Sequence, residues 1–133
     1  MFSKKLKLLV VDDEKDICSF VKLLFRKRGF SVFSALTGRQ AISTAKKIRP
    51  HIALIDIHLK KGIDGLEVLR QIKEFLLGCR CIIVTWDSAK EKIRKAKSLG
   101  VVSYLTKPLT IKQLIDSVNR AIKDIRKRGT ANG

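Results

Sequence analysis

No apolar run among the 133 residues is long enough to cross a membrane. The N-terminal stretch sets basic residues before apolar ones. Its apolar run stops at Asp12 and Asp13, too short for a signal-peptide core, so a cytoplasmic protein is expected. Cysteine is scarce. Cys18, Cys79 and Cys81 are odd in number, lack disulfide or zinc-site spacing, and read as reduced packing residues. Internal repeats and low-complexity segments are absent. So are Gly-x-Gly-x-x-Gly and Walker sequences, which removes the usual dinucleotide and P-loop sites. Acids are few for a chain this charged. Twelve Asp and Glu, four of them Glu, face twenty-nine Lys and Arg, for a net charge of +17. So few acids argue against an ion-pair network of the thermophile kind. The excess favours an acidic partner: nucleic acid, an acidic protein face or an anionic membrane, with a merely soluble basic surface as the plain alternative.

What is present is organised around His51-Ile-Ala-Leu-Ile-Asp-Ile-His58. An apolar run of this kind reads as a strand buried on both faces of a parallel sheet. Asp56 interrupts it, and a buried carboxylate without partners is costly. Ligands of open α/β sheets sit beyond the carboxyl ends of the strands, which is where Asp56 falls.

The rest of the chain repeats one pattern. Apolar runs at Leu6–Val11, Phe30–Ala35, Cys81–Val84 and Val101–Leu105 read as strands. Helical spacing follows each of the five strands, over Asp16–Arg28, from Thr37 to Pro50, over Leu66–Leu77, from Ser88 to Gly100 and from about Thr110 onward. Thr37 and Ser88 are N-cap candidates. Ile111, Leu114, Ile115, Val118, Ile122 and Ile125 form the inward stripe of the last helix. The alternation predicts an α/β domain: a five-stranded parallel sheet with right-handed crossovers and helices on both faces. One domain is expected over residues 1–128, with a polar tail at 129–133.

Polar residues collect at one edge of that sheet: Asp12 and Asp13, Asp56, Thr85 and Lys107. Clustered carboxylates repel, and a divalent cation relieves the repulsion. Oxygen-only ligands suit Mg²⁺ rather than zinc. A carboxylate beside a metal, a hydroxyl and an ammonium is built to accept a phosphoryl group. Singly, each residue has an ordinary reading: a helix cap, a strand residue, a loop charge.

Jointly, Asp12-Asp13, Asp56, Asp64-Gly65, Thr85, Tyr104 and Lys107-Pro108 resemble the receiver domain of two-component response regulators, over about Lys7 to Lys127. The resemblance implies a (βα)5 flavodoxin-like fold of the stand-alone, chemotaxis-receiver kind. It implies that Asp56 is the phospho-acceptor, charged by a histidine kinase or histidine phosphotransfer protein. Asp12, Asp13, Asp56 and the backbone carbonyl of His58 would bind Mg²⁺. Lys107, before a cis bond to Pro108, would hold the phosphoryl group, and Thr85 and Tyr104 would form the switch pair.

Three features depart from the family pattern. Trp86 stands where a small residue is usual, and its ring would slow both loading from small donors and loss of the phosphoryl group. The loop after Asp56 is one residue longer, with Lys60 replacing the usual Pro. His58 lies at a position that tunes phosphoryl lifetime in relatives and reads as a rim residue. The third departure is charge: the fourth helix carries Lys90, Lys92, Arg94, Lys95 and Lys97 against Glu91. The fifth carries Lys112, Arg120, Lys123, Arg126, Lys127 and Arg128 against Asp116 and Asp124. Receivers use these helices for output, so a basic face docking on an acidic protein is expected. Sequence-independent nucleic-acid binding is the weaker version, since no recognition helix or aromatic platform is evident. The competing reading is a constitutive basic binding module that keeps the fold without phosphorylation. A phosphatase with an Asp nucleophile fits poorly, because Asp56-Ile-His58 lacks a second acid.

Overall fold

Strands and helices alternate from one end of the described chain to the other. The computed structural model describes residues 5–132, the side chains of 128–132 excepted. The strands are β1 (Lys7–Val11), β2 (Ser31–Ala35), β3 (Ile52–Ile55), β4 (Arg80–Thr85) and β5 (Ser103–Thr106). The helices are α1 (Lys15–Arg26), α2 (Gly38–Ile48), α3 (Gly65–Phe75), α4 (Lys90–Ser98) and α5 (Ile111–Asn132). The strands form one parallel sheet in the order β2-β1-β3-β4-β5. This is the doubly wound α/β architecture that the alternation predicts.

Side chains alternate across the sheet with a period of two. Leu9, Val11, Ile55 and Ile83 pack with α2 and α3 and with Ala96 of α4. Leu8, Val10, Leu54 and Ile82 pack with α1 and α5. Burial on both faces explains why the strands read as unbroken apolar runs. Cys18, Cys79 and Cys81 are free and buried within these two layers, as expected of packing residues. No helix of the described residues is long and apolar enough to cross a membrane.

Local chemistry sets the helix ends. Thr37 Oγ1 accepts the Gln40 N–H at 3.1 Å, confirming that cap. Thr110 and Gln113 exchange hydrogen bonds at 2.7 and 3.0 Å, a reciprocal capping box that opens α5. Ser88 does not cap α4. That helix begins at Lys90 after Ala89, and the Asp87 carboxylate takes the Ala89 N–H at 2.9 Å instead. Ile111 was expected inward, but it lies in the first turn above the sheet edge and is 51% exposed. The helix α5 runs through Gly129 to Asn132, so most of the expected tail at 129–133 is helical; Gly133 lies outside the described residues. One glycine costs a helix only about 1 kcal/mol relative to alanine, which does not by itself end it.

Two contacts fix the end of β3. Asp56 N–H donates to the Val11 carbonyl at 2.9 Å, and Gly65 N–H donates to the Ile57 carbonyl at 2.7 Å. The start of α3 is thereby pressed against the end of β3. A Cβ at Gly65 would lie 1.9 Å from the Asp56 carbonyl oxygen. Asp64 caps the helix through the Glu67 N–H at 2.9 Å. The Asp64-Gly65 pair therefore combines a cap with a close backbone approach. Gly65→Ala is expected to destabilise the fold by about 1–3 kcal/mol, the usual cost of overpacking. A lowered urea midpoint checks this, and an unchanged one refutes it.

Candidate functional site

The strand order reverses between β1 and β3, so their ends diverge into a crevice. Asp12 follows β1, Asp56 follows β3, Thr85 ends β4, and Lys107 follows β5. Asp12 is 2% and Asp56 5% exposed, and Thr85 and Lys107 are buried beside them. The Lys107 ammonium lies 2.8 Å from Asp12 Oδ2, 3.1 Å from Asp56 Oδ2 and 3.2 Å from Glu14 Oε2. The Thr85 hydroxyl donates to Asp56 Oδ1 at 2.7 Å, and the His58 backbone N–H donates to the same oxygen at 3.0 Å. Both acceptor oxygens are thus held by donors from other segments of the chain. The bond from Lys107 to Pro108 is cis, as the resemblance implied.

The group of acids differs from the expected one. Carboxylate oxygens of Asp12, Glu14 and Asp56 lie within 4.8 Å of one another. Asp13 is outside this group, and its Oδ2 accepts the Lys60 N–H at 3.0 Å. The chain bends at Asp13, and the Asp12 carboxylate takes the Glu14 N–H at 2.9 Å, which brings Glu14 back to the side of Asp12. Asp12 and Glu14 face Lys107, while Asp13 faces the loop after β3. The sequence reading missed Glu14. Its two-residue spacing from Asp12 was the available signal.

The site carries excess negative charge. Burial pushes the Asp12 carboxyl above its ordinary pKa and outweighs the hydrogen bonds from Lys107 and the Glu14 N–H; the Asp56 charge adds to the rise. Burial opposes the Lys107 ammonium, but hydrogen bonds and charge from Asp12 and Asp56 raise its pKa overall. Three carboxylates share one ammonium. Their hard oxygen donors, without sulfur or imidazole, suit a small divalent cation such as Mg²⁺.

The remaining predicted residues surround this centre. Tyr104 is half-buried, and its hydroxyl donates to the Asp87 carbonyl at 2.5 Å. His58 Nε2 lies 2.7 Å from Asp87 Oδ2 and ties the loop after β3 to the loop after β4. The Ala89 N–H, then His58, hold the Asp87 carboxyl below its usual range. Asp87, which the sequence reading passed over, thus joins His58 to Tyr104. Trp86 is 62% exposed and stands at the rim of a cleft of about 270 Å³. Ile17, Phe20, Leu109 and Ile111 line the same cleft, and Asp12, Asp56 and Lys107 open into it.

Fold and acid pocket together define a doubly wound α/β domain with its polar centre at the switch point. The family model for the response regulator receiver domain matches residues 8–119, and the chain belongs to that family. Receiver domains are the phospho-accepting signalling modules of two-component systems. Sporulation initiation phosphotransferase F of Bacillus subtilis (strain 168) is 33% identical over 114 residues, 86% of this chain and 91% of that protein. A CheY-like receiver domain protein from Methanospirillum hungatei JF-1 superposes with a TM-score of 0.90 at 23% identity, covering 94% of this chain and 99% of that one. Vibrio cholerae chemotaxis protein CheY4 gives 0.81 at 24% identity, covering 89% and 99%. These two likenesses concern the fold.

A raised pKa means that ionised Asp12 costs stability in the metal-free protein. The cost is present at neutral pH and disappears below the carboxylate range. Asp12→Asn is expected to raise the denaturation midpoint in a chelator at neutral pH and to leave it unchanged near about pH 3. Added Mg²⁺ should stabilise the parent protein more than the variant. Chelator-phase melting curves at the two pH values check the sign.

Proposed function

We propose that Asp56 accepts a phosphoryl group from a phosphohistidine of a histidine kinase or a phosphotransfer protein. The observation that carries this reading is the pair of donors on its carboxylate, Thr85 at 2.7 Å and Lys107 at 3.1 Å. In the transfer, an Asp56 oxygen forms a bond to phosphorus as the donor's N–P bond breaks. Lys107 and Thr85 then stand where charge on the phosphoryl oxygens needs neutralising, and positioning supplies most of the rate. Asp12, Asp13, Asp56 and the His58 carbonyl would hold Mg²⁺, as the family implies, with the Glu14 carboxylate close enough to Asp12 and Asp56 to join them. The ion would add positive charge against the phosphoryl oxygens.

The apolar rim of the cleft suits the donor's approach. Phe20, Trp86 and Ile111 are exposed large apolar side chains around the opening. Burying them against a partner would exclude water from the reacting groups. After transfer, Thr85 would turn to a phosphoryl oxygen, and Tyr104 would leave the Asp87 carbonyl and move inward. That would change the surface of α4, β5 and α5 for an acidic downstream protein. The setting proposed is the cytoplasm. The second reading, a constitutive basic module, explains the charge but leaves the paired carboxylates without a purpose.

The test is to incubate the protein with Mg²⁺ and acetyl phosphate and to weigh it. A mass gain of one phosphoryl group is expected for the parent and none for Asp56→Asn. No gain in the parent, from acetyl phosphate or from a phosphorylated phosphotransfer domain, overturns the reading. Trp86→Ala should lose the phosphoryl group several-fold faster once loaded, because the rim ring limits the approach of water. Equal lifetimes would show that the ring has no such role.

A further inference from the structure

Charge is distributed very unevenly between the two edges of the sheet. All but two of the twelve acids lie in the loops after the strands or in the first two turns of the helices. The exceptions at the opposite edge are Glu74 and Asp124, and each is already paired, Glu74 with Arg70 and Asp124 with Arg80. That opposite edge collects the helix C-termini. It exposes Lys27 and Arg28 after α1, Lys47 and Arg49 at the end of α2, and Arg126 and Lys127 in α5. Among the described residues, no carboxylate pairs with Lys27, Arg28, Lys47, Arg49 or Lys127. The helix macrodipole accounts for part of this, since it draws acids to N-termini and cations to C-termini. It does not account for the excess, because a dipole needs only about half a charge at each end.

The shape of that edge narrows the partner. Asp124 is level with the start of β4 through its 2.6 Å bond to Arg80. The helix α5 continues to Asn132, about two turns beyond the sheet edge. Lys5, Arg28 and Arg126 surround a cleft of about 420 Å³ beside this projecting helix. A ridge flanked by cations fits the groove and flanking phosphates of a double helix better than a flat lipid surface. Membrane binding also needs apolar insertion. Of the exposed large apolar side chains, Phe20, Trp86 and Ile111 lie near the other edge, leaving Leu77 and, one turn up α1, Leu23. Among the described residues that edge presents lysines and arginines and no exposed aromatic, so recognition would be of backbone phosphates and independent of sequence.

We propose that the edge opposite the acid pocket, centred on Arg28, Arg126 and Lys127, binds the phosphodiester backbone of a nucleic-acid duplex, with the Asp56 pocket facing away from it. This does not rest on phosphorylation of Asp56. It also differs from an output face on α4, whose cations lie further round the molecule.

The test compares two variants of equal net charge by fluorescence anisotropy with a labelled DNA duplex and an RNA duplex. One variant combines Lys27→Gln, Arg28→Gln, Arg126→Gln and Lys127→Gln. The other combines Lys60→Gln, Lys61→Gln, Lys90→Gln and Lys92→Gln near the acid pocket. The parent's affinity should fall by about 10³-fold between about 50 and 200 mM salt if some six phosphates are neutralised. The first variant should lose about tenfold or more at fixed salt, and the second less than about threefold, by the same counterion argument. The preferred duplex identifies the kind of nucleic acid. Equal losses in both variants would show a net-charge effect without a site and overturn the proposal. So would absence of duplex binding, or capture by phosphatidylserine vesicles without duplex binding. Circular dichroism of both variants establishes that they fold; should the first fail to fold, Arg28→Gln with Lys127→Gln replaces it, set against Lys60→Gln with Lys90→Gln, with the same expected direction.

Discussion

The contact on which the arrangement depends is one buried ammonium shared by three carboxylates. Lys107 holds Asp12, Glu14 and Asp56 within about 3 Å of a single nitrogen. Without it, two of those acids would be buried charges without compensation, which a fold of ordinary stability does not tolerate. With it, the pocket still carries more negative than positive charge. That imbalance makes the pocket receptive to further positive charge. Burial makes Asp12 hard to ionise, and the carboxylates around Lys107 make that ammonium hard to deprotonate.

The sheet makes the contact achievable. Four chain segments far apart in sequence reach one crevice because parallel strands end at one edge. Each acceptor oxygen then has a donor from a different strand: Thr85 from β4 and Lys107 from beyond β5. Fixing the groups on rigid strand ends limits the conformational entropy lost when they meet. Beyond the pocket, the Tyr104 hydroxyl on the Asp87 carbonyl and the His58–Asp87 pair link its rim to β5.

Much of this could be read from residue order. Apolar runs identified the strands because β3 and its neighbours are buried on both faces, and Asp56, Thr85 and Lys107 meet as their positions implied. What escaped depended on side-chain direction, which a sequence does not print. Glu14, not Asp13, faces Lys107 because the chain bends at Asp13 and the Glu14 N–H returns to the Asp12 carboxylate. Ser88 was a plausible cap by type, but the Asp87 carboxylate reached the Ala89 N–H instead. The role of Asp87 between His58 and Tyr104 is a three-way contact across two loops and a strand, beyond the reach of local pattern. Gly129 suggested an end to α5, yet a single glycine did not supply one.

The loop between β3 and α3 is pinned at both ends, by Asp56 on Val11 before it and by Gly65 on Ile57 after it. Among the described residues, its middle touches the site only through the Lys60 backbone N–H on Asp13, so its side chains can change while Asp56 keeps its place. In evolutionary terms, the surface of this loop and the position of Asp56 are uncoupled here. The residues between Leu59 and Ile63 can be rewritten to suit a different neighbouring molecule, and the Asp56 carboxylate is inherited in place.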